Sequence, residues 1–201
     1  MIFQFQGQQK GIDMFVDSDF AGCARTRKST AGGCAMLGQH CIKTWAKTLP
    51  ILALSSGEAE LMAVVKGTTE VMGLKALLAD LGMPGARMAI RSDATAAIGI
   101  VSRLGLGKVR HLAVSDLWVQ QAARKGSVEF TKVPGQINPA DLFTKALDKK
   151  SMLAHAQRIG QREFAGRSQI APCRRNGEAD RQHSSVVLQP TTAIVQTQPN
   201  P

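Results

Sequence analysis

The chain has 201 residues, of which 44% are hydrophobic, so it is long enough for one domain with a buried core and a tail. Aromatic residues make up only 4% and tyrosine is absent, which argues against base stacking as the main binding device. The formal net charge of +10 favours a polyanionic partner, nucleic acid first, over a basic surface that serves only solubility.

The cysteines and the N-terminus indicate where the protein works. None of the four cysteines belongs to a C-x-x-C pair, so we expect no zinc site. A reduced, intracellular setting, cytoplasmic or nuclear, is the simplest interpretation. The N-terminus lacks the basic start and apolar run of a signal peptide, and no apolar stretch approaches the ~18 residues of a membrane span. We therefore expect no membrane partner.

The first 50 residues carry a pattern typical of three β-strands. In "GIDMFVDSDFAG" (11–22), Ile12, Met14 and Val16 recur at the period of two that a half-buried strand shows. Two shorter strands, "GCAMLG" and "CIKTWAK", are joined by "GQH". A turn with a basic cluster, "GCARTRKSTAGG" (22–33), separates the first strand from the second. Together the three strands predict an antiparallel meander.

A long helix follows Pro50 and is predicted to run to about Leu81, where Gly82 and Pro84 stop it. Ser55 or Ser56 is its expected N-cap, and the spacing from Ser55 to Glu58 fits a capping box.

Glu60 lies on the core-facing stripe of this predicted helix. The same stripe continues through Val64, Gly67, Val71, Leu74 and Leu78. A carboxylate on such a stripe must be paired, hydrogen-bonded or bound to a metal.

Strands and helices alternate in the rest of the chain. The pattern predicts a strand at 87–93, a helix in "DATAAIGIVSR" with Asp93 as N-cap, a glycine-containing loop "LGLGKVRHL", a helix in "LAVSDLWVQQAARKG" and a strand in "SVEFTKVPG". "NPADLFTKAL" opens a helix with Asn138 at the N-cap and Pro139 at the first position, and a last helix covers about 148–159. We expect one α/β domain with a mixed sheet over residues 1–160. Residues 161–201, rich in Gln, Arg, Ser, Thr and Pro, are predicted to be a disordered tail.

Four carboxylates stand at or near the ends of these elements, and each has an ordinary structural explanation. Asp17 fits a surface position on the first strand, and Glu60 fits a hydrogen-bonded or partly exposed helix residue. Asp93 fits an N-cap, and Asp141 fits a first-turn acid that the helix dipole favours. Taken one at a time, none of them points to catalysis.

Taken together, the four carboxylates predict a metal site. In open α/β sheets, functional sites form where strands end and helices begin. Carboxylates that meet there repel one another, and hard cations such as Mg²⁺ relieve this repulsion because they take oxygen ligands. Two such ions about 4 Å apart suit the hydrolysis of a phosphodiester bond. A basic chain with a buried acidic metal site therefore indicates a nuclease.

The stretches that carry these acids resemble the ribonuclease H domain of copia-type retrotransposon Pol polyproteins. The matching stretches are "VDSDFAG", "RKSTAGG", "LSSGEAELMAV", "RSDATAAI", "KVRHL" and "PADLFTKAL", in matching order and spacing over residues 11–147. The resemblance implies a ribonuclease H-like α/β fold, a mixed five-stranded sheet with three antiparallel strands first, flanked by helices. It also implies cleavage of the RNA strand of an RNA–DNA hybrid with two Mg²⁺ ions, Mn²⁺ being an alternative. Its polyprotein partner would be a reverse transcriptase portion, which this chain lacks.

The resemblance also assigns the site. The family's catalytic and metal-binding acids fall on Asp17, Glu60, Asp93 and Asp141, with Glu60 a better match than Glu58 because it stands directly before "x-MA". Asp19 would be an outer neighbour of this site.

Some positions depart from the family's pattern. "CART" stands where acidic residues often precede "RKST", Ala94 and Thr95 replace a usual Asn-Gln, and leucines occupy two histidine positions, 106 and 117. These departures leave the four acids in place and bear on substrate handling or rate.

Candidate nucleic-acid contacts lie in two basic stretches. Phosphate contacts dominate the affinity for nucleic acid, whereas 2′-hydroxyl contacts distinguish RNA. The candidates are Arg25, Arg27, Lys28, Ser29 and Thr30 in the first stretch and Lys108, Arg110 and His111 in the second. For each basic side chain the alternative is a solvated surface charge.

Two other functions stay open beside the hybrid endonuclease. One is a catalytically inactive, transposon-derived relic that still binds nucleic acid; the other is a purely structural or interaction domain. The chain starts almost at the first strand, which fits a fragment, the product of a decayed element or a processed domain.

Overall fold

In the computed structural model of the protein, residues 5–7, 9–105 and 117–161 are described. The strands are β1 (Gly11–Ser18), β2 (Thr30–Leu37), β3 (His40–Thr48), β4 (Arg87–Ser92) and β5 (Glu129–Lys132). The α-helices are α1 (Ser56–Asp80), α2 (Thr95–Ser102), α3 (Trp118–Arg124) and α4 (Lys149–Arg158). Two short 3₁₀ helices, Gly135–Ile137 and Pro139–Phe143, lie between β5 and α4.

The five strands form one mixed sheet in the order β3-β2-β1-β4-β5. β1 pairs antiparallel with β2, and β2 pairs antiparallel with β3, as the predicted meander requires. β4 is parallel to β1, and β5 is parallel to β4. The sheet confirms the expected ribonuclease H-like fold, and it brings the carboxyl ends of β1, β4 and β5 to one edge.

The main core lies between α1 and one face of the sheet. Ile12, Met14 and Val16 of β1 are fully buried, which confirms the period of two predicted for this strand. α1 approaches β1 so closely that a β-carbon on Gly67 would lie 2.4 Å from Cγ1 of Val16. Glycine is therefore required at position 67, because a larger residue would push α1 away from the end of β1.

α1 begins where the sequence predicts. Ser55 is its N-cap, and its Oγ accepts the backbone N–H of Glu58 at 3.2 Å. The carboxylate of Glu58 accepts the N–H of Leu54 at 2.8 Å, so the predicted capping box closes one residue upstream of the N-cap. Gly82, with a φ of 83°, follows the helix as expected.

Three predicted elements differ from the structure in extent or type. The first strand, predicted to residue 22, ends at Ser18 because Asp19 bonds to Thr30 and Ala21 turns to a φ of 55°. The helix predicted from Asn138 is a five-residue 3₁₀ helix, although Asn138 caps it as expected by accepting the N–H of Ala140. Of the helix predicted in 112–126, the described part forms α3, and the predicted loop beyond Gly105 lies outside the described residues.

The predicted tail lies outside the described residues apart from Gln161. Within the described ranges, no helix combines the length and the hydropathy that crossing a bilayer requires.

Candidate active site

Three of the four predicted acids meet at the carboxyl edge of the sheet. Asp17 lies near the end of β1 and is fully buried, and Asp93 directly follows the parallel neighbour β4. Glu60 reaches the same point from the N-terminal part of α1. One carboxylate oxygen from each of Asp17, Glu60 and Asp93 lies within 4.8 Å of the other two. Oxygen atoms at this spacing can act as ligands of one cation.

Asp93 is not the N-cap of α2, which corrects the prediction. Ala94 holds that position without a side-chain hydrogen bond, and Asp93 stands one residue too early to cap. Its carboxylate instead accepts the side-chain amide of Asn138, whose Nδ2 lies 3.4 Å from Asp93 Oδ1 and 3.0 Å from the carbonyl oxygen of Val16. Gly135 backs the other oxygen, where an added β-carbon would come within 2.9 Å of Asp93 Oδ2. Because Asp93 does not cap α2, its carboxylate is available to the site.

Burial and mutual repulsion make Glu60 and Asp17 hard to ionise. Burial, together with the charges of Asp17 and Asp93, raises the pKa of Glu60 from 4.5 to about 8. Burial raises the pKa of Asp17 from 3.8 to about 6, although hydrogen bonds from Thr144 and Lys145 oppose the rise. Glu60 Oε2 is buried without a hydrogen-bond partner in the described part of the chain. Ionising Glu60 would leave a buried charged oxygen without a donor, and a bound cation would remove the cost of that ionisation.

Asp141, the fourth predicted acid, is linked to Asp17 by the ammonium group of Lys145 and does not converge directly with the other three. The 3₁₀ helix Pro139–Phe143 carries Asp141, and Lys145 follows one turn later. Lys145 Nζ lies 2.9 Å from Asp141 Oδ1 and 3.0 Å from Asp17 Oδ1. Asp141 is absent from the group of three whose oxygens meet within 4.8 Å.

Two residues beside the acids were missed by the sequence interpretation. Thr144 donates its hydroxyl to Asp17 Oδ2, and Lys145 forms ion pairs with Asp17 and Asp141. Both belong to the stretch "PADLFTKAL", so the signal was present, but the chemistry of Thr and Lys side chains does not by itself indicate a role beside carboxylates. Asn138, interpreted as a cap alone, both caps and orients Asp93.

The predicted nucleic-acid contacts are only partly described. Arg25 and Arg27 are exposed and Lys28 is half-buried, in the turn before β2. Ser29 is buried and its Oγ accepts the N–H of Ala21 at 3.0 Å, so its hydroxyl oxygen serves the turn. The N–H of half-buried Thr30 donates to Asp19 Oδ1, which makes Asp19 a support of this turn. Lys108, Arg110 and His111 lie outside the described residues.

Comparison with known proteins finds sequence similarity to transposon polyproteins. No profile of a known protein family matches the chain. Over 157 residues the chain is 26% identical to the retrovirus-related Pol polyprotein from transposon TNT 1-94 of Nicotiana tabacum, which covers 78% of this chain and 12% of the polyprotein. Over 161 residues it is 26% identical to the Pol polyprotein from transposon RE1 of Arabidopsis thaliana, covering 79% of this chain and 11% of that protein. The chain thus spans a small part of the length of these curated relatives.

This chain is similar to copia-type Pol polyproteins and carries a ribonuclease H-like domain. A solved structure of LC11-RNase H1, isolated from compost by a metagenomic approach, matches 66% of this chain and 91% of its own, with 14% identity and a TM-score of 0.47. A crystal structure of LC11-RNase H1 in complex with RNA/DNA hybrid matches 66% of this chain and 92% of its own, with 17% identity and a TM-score of 0.41. The strand order and directions described above, rather than these scores, carry the fold assignment.

Of the departures from the copia-type pattern, Thr95 and Leu117 have described contacts, whereas Leu106 lies outside the described residues. Thr95 accepts a hydrogen bond from Lys132 at 2.6 Å, which links the start of α2 to the end of β5. Leu117, where the family commonly has histidine, is half-buried and packs against the main core.

Proposed function

We propose that this ribonuclease H-like domain is a divalent-metal-dependent nuclease that hydrolyses the RNA strand of an RNA–DNA hybrid. The observation that carries the proposal is the convergence of Asp17, Glu60 and Asp93, with oxygen atoms within 4.8 Å of one another at the carboxyl edge of the sheet. The similarity to retrovirus-related Pol polyproteins supports the same conclusion, since a hybrid substrate suits a domain that accompanies reverse transcription.

The donor set fits magnesium or manganese. It consists of carboxylate oxygens, which hard cations prefer, and it includes Glu60 Oε2, which is buried and has no hydrogen-bond partner among the described residues. Asp17, Glu60 and Asp93 would hold a first ion, and Asp141, beside Asp17 across Lys145, is the further ligand proposed for a second ion. Bound ions would supply an activated water and charge stabilisation at the phosphate.

The remaining residues would position this machinery and the substrate. Asn138 holds Asp93 in place through its side-chain amide, and Thr144 holds Asp17 through its hydroxyl. Arg25, Arg27 and Lys28 offer positive charge in the turn before β2, where phosphates of the backbone would lie. The excess of basic residues over the whole chain, with a net charge of +10, supports a polyanionic substrate.

The test is cleavage of a labelled RNA–DNA hybrid by the full chain with Mg²⁺, beside Asp17→Asn. Asp17→Asn keeps the shape of the side chain and removes the charge. We expect the parent to cut the RNA strand, and the variant to lose cleavage. RNA–RNA and DNA–DNA duplexes of the same sequence serve as substrate controls.

The outcomes separate the three functions. Cleavage of hybrid RNA by the parent and not by Asp17→Asn supports the nuclease. Hybrid binding that weakens with salt, without cleavage, would contradict the enzyme and favour the inactive relic. Neither cleavage nor binding would leave only the structural domain.

A further inference from the structure

Lys145 occupies an unusual position for a lysine, between two acids of the candidate active site. Its Nζ donates to Asp17 Oδ1 at 3.0 Å and to Asp141 Oδ1 at 2.9 Å. The two acid side chains are 1% and 14% exposed, whereas the lysine side chain is 38% exposed. The ammonium group therefore enters the acidic cluster from its open side.

The local chain geometry holds Lys145 close to Asp141 in particular. The backbone N–H of Lys145 donates to the carbonyl oxygen of Asp141 at 3.1 Å, and the side chains pair at a spacing of four residues. An acid four residues before a lysine is the favoured order for such a pair. The contact with Asp17, by contrast, spans 128 residues and depends on the fold. Lys145 can therefore give up Asp17 while it stays beside Asp141.

One ammonium charge compensates the acidic cluster only in part. Asp17, Glu60, Asp93 and Asp141 carry four negative charges when all are ionised, against the single positive charge of Lys145 beside Asp17 and Asp141. A divalent cation with oxygen ligands compensates more charge at shorter distances than an ammonium on a flexible stem. A divalent ion bound at Asp17 and the Lys145 ammonium, 3.0 Å from Asp17 Oδ1, would repel each other, so each disfavours the other at this carboxylate.

We propose that Lys145 is a built-in cation that holds Asp17 and Asp141 together while metal is absent, and that a divalent ion displaces it from Asp17. This inference rests on the proposed function, because it assumes that the acids bind metal. It assigns Lys145 the role of a positioning residue whose contact with Asp17 competes with the metal. Metal affinity is then set partly by the loss of this ion pair.

The test is calorimetric titration of the full chain with Mg²⁺, in the parent and in Lys145→Gln, Lys145→Arg and Lys43→Gln. Lys43→Gln is the matched control, since Lys43 is similarly exposed and pairs with Glu70, outside the acidic cluster. We expect Lys145→Gln to bind Mg²⁺ about five- to tenfold more tightly, because no cation competes for Asp17. Lys145→Arg should stay close to the parent, and Lys43→Gln should match it.

Thermal unfolding gives a second measurement that does not depend on cleavage. In EDTA, Lys145→Gln should melt about 3 °C below the parent, because Asp17 and Asp141 lose their cation. On addition of Mg²⁺ its melting temperature should rise by more than that of the parent. A purely structural lysine would lower the melting temperature equally with and without Mg²⁺.

Two results would overturn the inference. Equal or weaker Mg²⁺ binding by Lys145→Gln would show that the lysine does not compete with the metal, while the proposed nuclease would survive. Absence of Mg²⁺ binding in the parent and in every variant would overturn both this inference and the metal centre of the proposed function.

Discussion

β1 carries two aspartates on one face, four residues apart, and their surroundings are opposite. Asp13 lies among cations: Arg87 Nη2 is 3.1 Å and Arg91 Nη2 is 2.9 Å from its Oδ1. The same arginines also pair with Glu129, so two acids face two cations. Hydrogen bonds from Thr131 and Arg87 lower the pKa of Glu129.

Asp17 lies instead among other acids. Two carboxylates, Glu60 and Asp93, stand within 4.8 Å, and Lys145 pairs with Asp17 from the open side. Here the pKa values of Asp17 and Glu60 are raised. Around Asp13 the positive and negative charges balance, and such a group stabilises the sheet surface. Around Asp17 the negative charges are in excess, and such a group can bind a cation.

We expect the largest effect, on the rate of cleavage, when Asp17 itself is changed. Asp17→Asn should lower cleavage of hybrid RNA by about a thousandfold or more, because it would remove one charge of the proposed metal site. Asp13→Asn, the same change four residues earlier, should leave the rate within about threefold of the parent, because Asp13 pairs with Arg87 and Arg91 and is not one of the converging acids. Rates at saturating Mg²⁺ measure both variants. A comparable loss in Asp13→Asn would contradict the division between the two groups.

The raised pKa values predict how stability depends on pH in EDTA. Glu60 and Asp17 hold protons in the folded state up to about pH 8 and about pH 6, whereas the unfolded chain releases them near 4.5 and 3.8. The folded state therefore binds more protons in this window, so stability falls as pH rises from about 4 to about 8. For Glu60 the loss between pH 5 and pH 9 should be on the order of 4 kcal/mol, and Glu60→Gln should remove this contribution. Urea unfolding at pH 5 and pH 9 measures the slope; a parent that is as stable at pH 9 as at pH 5 would disprove the prediction.

Two glycines of α1, the buried Gly67 and the exposed Gly73, should respond oppositely to replacement by alanine. Gly67→Ala should lower the free energy of unfolding by about 2 kcal/mol, because the added methyl would meet Val16 at 2.4 Å. Gly73→Ala should raise it by about 0.5–1 kcal/mol, because no atom lies within 4 Å and alanine favours the helix. Urea unfolding in EDTA measures both, and equal effects at the two positions would contradict the close approach of α1 to β1.

The smallest effect concerns the start of the helix that carries Glu60. Ser55→Ala should cost about 1 kcal/mol, because Glu58 loses the side-chain acceptor of its N–H. Ser56→Ala, the neighbouring change, should cost clearly less, because Ser55 and not Ser56 holds the cap. Thermal unfolding of the two variants measures the difference, and the reverse order would place the cap at Ser56.

Much of the fold was predictable because its signals are local. The alternation in β1, the cap at Ser55 and the glycine after α1 depend on neighbours within a few residues, and the structure confirms each. The prediction was wrong at residues 139–143, where a cap and a proline predict an α-helix but the structure has a 3₁₀ helix. There the side chains of Thr144 and Lys145 are bonded to Asp17, more than 120 residues away, and no local pattern contains that contact.

The candidate site divides in the same way. The sequence by itself determined which acids are available and, through the resemblance, which of them belong together, because side-chain chemistry and motif spacing are written in the chain. The folded chain was needed to show that Ala94 and not Asp93 caps α2 and that Asp141 approaches Asp17 across Lys145. It also showed that Glu60 Oε2 has no hydrogen-bond donor among the described residues. Charge compensation depends on distances between residues far apart in sequence; the parallel pairing of β1 with β4 brings Asp17 and Asp93 to one edge of the sheet, and α1 and the 3₁₀ helix Pro139–Phe143 bring the other two acids there.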